Sequence, residues 1–448
     1  MDSRNDKIMG SLLGLAIGDA LAAPARGLKP ETIQQLFKQM DGFKDVRPFL
    51  GKGVKRYRMR GLYGAQTQLA LAVCDALLID KKAGIEAVAE RLRELSSGGP
   101  EGRFGMYRSP EGVCVRALES LVNRDELLDC ELKSATLSFS TMAIPAALYY
   151  QKTSATLLRL WLETSLMMSR HLWEATGAAL TGFATLQLLD LEAPSEDETP
   201  ERVAEILKAM IAFCAEVNAT FKDLFPEAAA ETNEKLFKGF TVTLEGLLER
   251  FDEPEAELFA WISKNASEFA GVEIRHPNQG HPLTLIPLAL ILLSRVHGFS
   301  SVMTQGLNMG RETEKIGSLL GAWAGAWYGE EAIPQEWRTG LVNAREIKSR
   351  GKALARKGNA NGLKELYELE SGATSKNYQE EKKYVQTPTT RKASGRDVLP
   401  DIWSVDGDDD EHKKPLRDDP IQRRKFERDK ARKKKDRRKN LPSDMDFF

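Results

Sequence analysis

Cysteine and histidine are both scarce in this chain. Its 448 residues hold four cysteines, at 74, 114, 130 and 214, and five histidines, at 171, 276, 281, 297 and 412. No two cysteines form a CxxC pair, which excludes a disulfide framework and a thiolate zinc site; they read as reduced thiols of a cytoplasmic protein. His276 and His281 stand in HPNQGH without carboxylate company and read as part of a turn. Long hydrophobic runs are missing too. TLIPLALILLSRV at 284–296 is shorter than the about 20 apolar residues that cross a bilayer, and MDSRNDKIMG opens charged, unlike a secretory signal. No transmembrane segment is expected. Period-two alternation is nearly absent, which leaves little room for strands. Net charge is only −1, though unevenly placed.

What is present is a 3, 4, 7 spacing of apolar residues. It predicts helices over 6–24, 30–40, 66–79, 83–95, 113–123, 140–151, 153–169, 171–190, 200–218, 227–250, 255–270, 282–295, 313–328 and 340–370. Segment 25–61 is mostly irregular, and 96–112 is a Gly/Pro/Arg-rich loop. No repeat period emerges, so the expected fold is an all-α compact bundle and not a solenoid. Glycines recur every fourth residue at Gly317, Gly321, Gly325 and Gly329, and again at Gly10, Gly14 and Gly18. Residues four apart share a helix face, so each set makes a ridge without side chains. Glycine costs roughly 1 kcal/mol against alanine inside a helix. Close backbone packing of the two ridges is the simplest compensation.

The body is expected to span 1–370. From 371 to 448 aliphatics thin out and turn residues accumulate, a composition too polar to fold alone, so this stretch reads as a disordered charged tail. Its basic block, 421–440, holds twelve Lys/Arg against three Asp/Glu and suits a nucleic acid or another polyanion.

Three stretches together resemble the ADP-ribosylglycohydrolase family. GSLLGLAIGDALAAPAR at 10–26 is similar to the family's opening G-x-x-x-G-x-x-x-GDAxG-x-P-x-E. GLYGAQTQLALAVCDALL from Gly61 is similar to G-x-W-T-D-D-T-Q and the apolar helix after it. GRETEKIGSLLGAWAGAWYG at 310–329 is similar to GGDTDT followed by an Ala/Gly-rich helix. Weaker matches are Thr141 onward, TMAIPAALYY, and IPQEW from Ile333. The resemblance implies a single orthogonal multi-helix bundle, two magnesium ions and the removal of ADP-ribose from proteins or small molecules.

The residues expected to hold those ions depart from the family's pattern. Its Thr-Asp-Asp falls on Gly64, Ala65 and Gln66, its exit glutamate on Arg26, and its Asp-Thr-Asp-Thr on Glu312, Thr313, Glu314 and Lys315. Magnesium wants oxygen ligands, mostly carboxylates. Here carboxylates leave and cations arrive. Asp19, Glu312 and Glu314 are therefore read as vestiges of the catalytic centre, and Gln66, Thr67, Glu312 and Glu314 as vestigial metal positions. No cofactor is expected, with magnesium only if a residual site survives. Arg26, Arg311 and Lys315 are expected to replace the metal charge with salt bridges, because a buried unpaired carboxylate is costly. Asp19 can equally serve as a helix-end acceptor, and Thr67 and Gln68 as helix caps. Arg103 and Tyr107, in the arginine-aromatic loop, are the candidate substrate-binding residues for an ADP-ribose-like ligand. Trp323 and Trp327 read as core. Three functions follow: an impaired pseudoenzyme that binds or scaffolds, a divergent hydrolase with a reduced metal site, or a nucleic-acid-associated factor acting through its basic tail.

Overall fold

A computed structural model describes residues 3–385. The basic block 421–440 and most of the stretch read as a tail lie outside the described residues. The helices are α1 (Ser3–Ala22), α2 (Pro30–Phe37), α3 (Ala65–Ile79), α4 (Ile85–Ser96), α5 (Gly112–Asn123), α6 (Ala143–Tyr150), α7 (Ala155–Met168), α8 (Leu172–Asp190) and α9 (Thr199–Leu224). They continue as α10 (Pro226–Glu231), α11 (Glu234–Glu249), α12 (Glu255–Ala270), α13 (Pro282–Arg295), α14 (Phe299–Asn308), α15 (Thr313–Tyr328), α16 (Gln335–Gly340), α17 (Ala344–Ala355) and α18 (Leu366–Val385). Among the described residues there is no strand, only an isolated bridge between Leu50 and Val54.

The two glycine ridges meet. α1 and α15 pack antiparallel, with Gly10 against Gly325, Gly14 against Gly321 and Gly18 against Gly317. A Cβ on Gly14 would lie 2.0 Å from the Gly321 carbonyl oxygen, and one on Gly18 would lie 1.9 Å from that of Gly317. Any side chain there would force the axes apart, so the ridges set the approach of the central pair. Trp323 and Trp327 are fully buried beside it, donating their indole N–H groups to Thr181 O at 3.2 Å and Glu192 O at 3.1 Å. Arg4–Ala25 is long and apolar enough to cross a membrane, yet 94% of its most apolar window is buried inside this fold. The pairing also fixes function-bearing ends: the exit of α1 lies beside the start of α15.

Four segments differ from expectation. α14 and α16 are short helices in stretches where the spacing predicted none. The helix expected over 227–250 breaks between α10 and α11, where Asn233 caps the second piece by accepting from Leu236 N. The helix expected over 340–370 is two, and the second, α18, runs fifteen residues beyond 370 into the stretch read as disordered. Its buried face explains why composition concealed it. Glu370 and Thr374 are buried there beside Leu366, Leu369 and Ala373, so polar contacts hold much of this helix.

Candidate functional site

α1 brings Asp19 to the bundle's interior, and a short 3-10 turn over Ala23–Ala25 then carries the chain to Arg26. Backbone bonds join this exit to the turn before α15: Gly27 N donates to Arg311 O at 2.8 Å, and Arg311 N to Leu28 O at 2.7 Å. Glu312, Glu314 and Lys315 are thereby set opposite Arg26. A cleft of about 140 Å³ opens between them, lined also by Arg58 and Glu111.

Charges in this cleft interlock. Glu314 lies between two guanidinium groups, with Arg58 Nη1 2.7 Å from Oε1 and Arg26 Nη1 3.2 Å from Oε2. Arg26 also donates to Ser109 O. The same Arg58 Nη1 is 3.6 Å from Asp19 Oδ1. Lys315 Nζ sits between Glu111 at 2.8 Å and Glu312 at 3.3 Å. Desolvation pushes the Glu314 carboxyl above its ordinary range, while Arg58 and then Arg26 pull the other way. Burial alone would lower the Lys315 ammonium, but Glu111 and Glu312 outweigh it and hold its pKa above that of an ordinary lysine. The Arg58–Glu314 contact is short without the angle of a hydrogen bond. Arg58 Nη1, Glu314 Oε1 and Asp19 Oδ1 are all buried without a hydrogen bond within the protein, so charge attraction is what holds them.

Asp19 does a second thing. Its Oδ2 accepts from Gly64 N at 2.9 Å, Thr67 N at 2.9 Å and Thr67 Oγ1 at 2.7 Å. It thus caps the first turn of α3 from another helix, where a carboxylate is favoured. Gly64 completes the fit: a Cβ there would lie 2.5 Å from Arg58 Nη1. A side chain at 64 would collide with the Arg58 guanidinium in the place it holds here.

Gln66 and Thr67 do not face the glutamates. Gln66 donates to Ser138 O at 3.3 Å and accepts from Thr141 Oγ1 at 3.3 Å, and Thr67 is taken by Asp19. Gln68 bonds Met106 O and Glu370 Oε2, both at 2.8 Å. Arg311 makes no side-chain ion pair among the described residues; its part is the backbone bridge, at a positive φ of 61°. Arg103 and Tyr107 are displaced from the role expected of them. Arg103 pairs with Glu381 of α18 at 2.5 Å, and Tyr107 is core, donating to Leu92 O at 3.3 Å. Neither lines the cleft, because α18 packs over their loop. His276 and His281 accept from Asn278 N and Leu283 N through Nδ1, the work of a turn and a helix cap.

Arg58 and Glu111 are the residues that sequence reasoning missed. The available signal was a charge deficit: carboxylates converging without metal need cations. Arg56, Arg58 and Arg60 lie within one RYRMR stretch, and nothing in it distinguishes the one that turns inward.

This donor set does not fit a pair of divalent ions. Its carboxylates are already paired with Arg58, Arg26 and Lys315, and its amide and hydroxyl are bonded elsewhere. Among the described residues no group of three or more His, Cys, Asp or Glu is arranged to hold a metal.

The family description ADP-ribosylglycohydrolase matches this chain over residues 1–370. Among solved structures, one described as an ADP-ribosylglycohydrolase-related protein complex is similar in fold, with a TM-score of 0.53 and 21% identity. The similarity covers 80% of this chain and 99% of that one, and at this identity it speaks for the fold alone. No curated protein matches the sequence.

Proposed function

This chain belongs to the ADP-ribosylglycohydrolase family, and we propose that it is a catalytically impaired member that binds or scaffolds instead of hydrolysing. One observation supports this: Arg58 stands between Glu314, which falls on a metal position of the family's pattern, and Asp19, read as a vestige of its catalytic centre. A divalent ion entering there would have to displace a buried guanidinium and meet Arg26 and Lys315 as like charges. A divergent hydrolase would need Glu312 and Glu314 free to act with Gln66 and Thr67, and all four are engaged.

The ligand that the family resemblance suggests is ADP-ribose-like, and its phosphates would have to take Arg26, Arg58 or Lys315 from their present carboxylate partners. The cleft is smaller than the roughly 300 Å³ at which drug-sized pockets begin, so a whole nucleotide enters only if the walls part. A polyanion partner for 421–440 rests on composition alone. Free, buried thiols at all four cysteines are in keeping with a cytoplasmic location.

Calorimetric titration of the full chain tests this, first with magnesium and then with ADP-ribose in the presence and absence of magnesium. We expect no magnesium heat, and ADP-ribose binding that magnesium leaves unchanged. Magnesium binding accompanied by metal-dependent ADP-ribose binding would overturn the proposal in favour of a hydrolase.

A further inference from the structure

The cation at the centre of the cleft is held from outside it. Arg58 Nη2 donates to Arg108 O at 3.4 Å, and Ala65 N, in the first turn of α3, donates to the same oxygen at 3.2 Å. The side chain of Arg108 is gripped by α18: Glu370 Oε2 lies 2.6 Å from Nη2, and Nη1 donates to Thr374 Oγ1 at 2.9 Å. Glu370 is itself fully buried and accepts from Tyr63 Oη at 2.6 Å. The other side of Arg58 is held by the same helix. Met59 N donates to Asn377 Oδ1 at 2.8 Å, and the rings of Tyr57 and Tyr384 lie 5.4 Å apart. Arg58 is thus flanked by two residues that contact α18, and it rests on a third.

We infer that α18 is a strap that locks Arg58 into the cleft, so that docking of this helix decides whether Arg58 stays between Asp19 and Glu314 or leaves that place open to a ligand. The strap is built to be separable. Its outer half, from Asn377 to Tyr384, touches the body through polar and ring contacts at half-buried or exposed positions, whereas its inner half carries the buried Glu370. Undocking the outer half releases the loop that carries Arg58 and leaves the core pair of α1 and α15 in place. The outer half is therefore a regulatory contact: whatever competes for it opens the place between Asp19 and Glu314. This rests on Arg58 being the cation that closes the site.

The test is amide hydrogen exchange on the full chain carrying Asn377→Ala and Tyr384→Ala together. Both positions lie outside the buried Glu370 network, so the fold should survive. We expect exchange of the amides at 54–60 to quicken by about tenfold or more, with α1 and α15 at their original rates. Unchanged exchange at 54–60 would show that the loop holds itself without the strap and overturn the proposal. Equal acceleration in α1 and α15 would do the same, by showing general loosening. Neither readout involves magnesium or ADP-ribose, so failure of the strap and failure of the pseudoenzyme reading are told apart.

Discussion

Replacing Arg58 with Met removes the charge and keeps most of the side-chain length. Glu314 and Asp19, whose side chains are 8% and 0% exposed, then lose their shared cation. Removing one partner from a buried ion pair costs about 3–5 kcal/mol, because the remaining charge stays desolvated. Arg26, 3.2 Å from Glu314 and partly exposed, offsets some of this, which puts the expected loss near 3 kcal/mol at neutral pH. The loss should depend on pH with a definite sign. Burial already raises the Glu314 pKa and Arg58 opposes that rise, so the variant's Glu314 titrates higher still. A carboxyl whose folded pKa lies above its unfolded value destabilises once pH exceeds the folded pKa, and the penalty fades as pH falls toward the unfolded value. Urea unfolding of both proteins at about pH 8 and about pH 5 should therefore give the larger difference at the higher pH. A loss below about 1 kcal/mol at pH 8, or one that grows on acidification, would refute the buried-cation account.

Gly321→Ala places a Cβ 2.1 Å from the Gly14 carbonyl oxygen. Overpacking against backbone should cost about 3 kcal/mol in urea unfolding, whereas Gly372→Ala in α18, with no heavy atom within 4 Å, should be neutral or stabilising by less than about 1 kcal/mol. His171 is pushed down to about 4 by burial, and further by Lys133, while its Nδ1 caps α8 by accepting from Trp173 N at 3.1 Å. Its ring signals should stay flat in an NMR titration from about pH 8 to about pH 5. Because the unfolded histidine takes up its proton near 6.5, this residue should erode stability as pH falls from 6.5 toward 4.

Periodicity and the glycine ridges carried most of the architecture, since a 3, 4, 7 pattern survives whatever the helices pack against. α3, α12, α13 and α15 lie within a residue or two of where spacing placed them. Where hydrophobic pattern was the wrong currency, the reading failed. α18 buries a carboxylate and a hydroxyl, so its composition resembled a solvated tail. Arg103 and Tyr107 looked like cleft residues because sequence does not show that another helix covers their loop.

The sequence by itself determined that the chain is helical and that it carries two matching glycine ridges, and set against the family's pattern it placed cations at Arg26 and Lys315, where that pattern has a glutamate and a threonine. All three are local or pairwise properties of residue type and spacing. Only the tertiary structure decided which cation closes the site. Arg58 comes from an irregular loop, Glu111 from the start of α5, and the Asn377 side chain that bonds the backbone beside Arg58 from α18. An ion pair across hundreds of residues has no periodic signature: it depends on where three separate loops end after the helices have packed, and packing volume, not charge pattern, sets those positions.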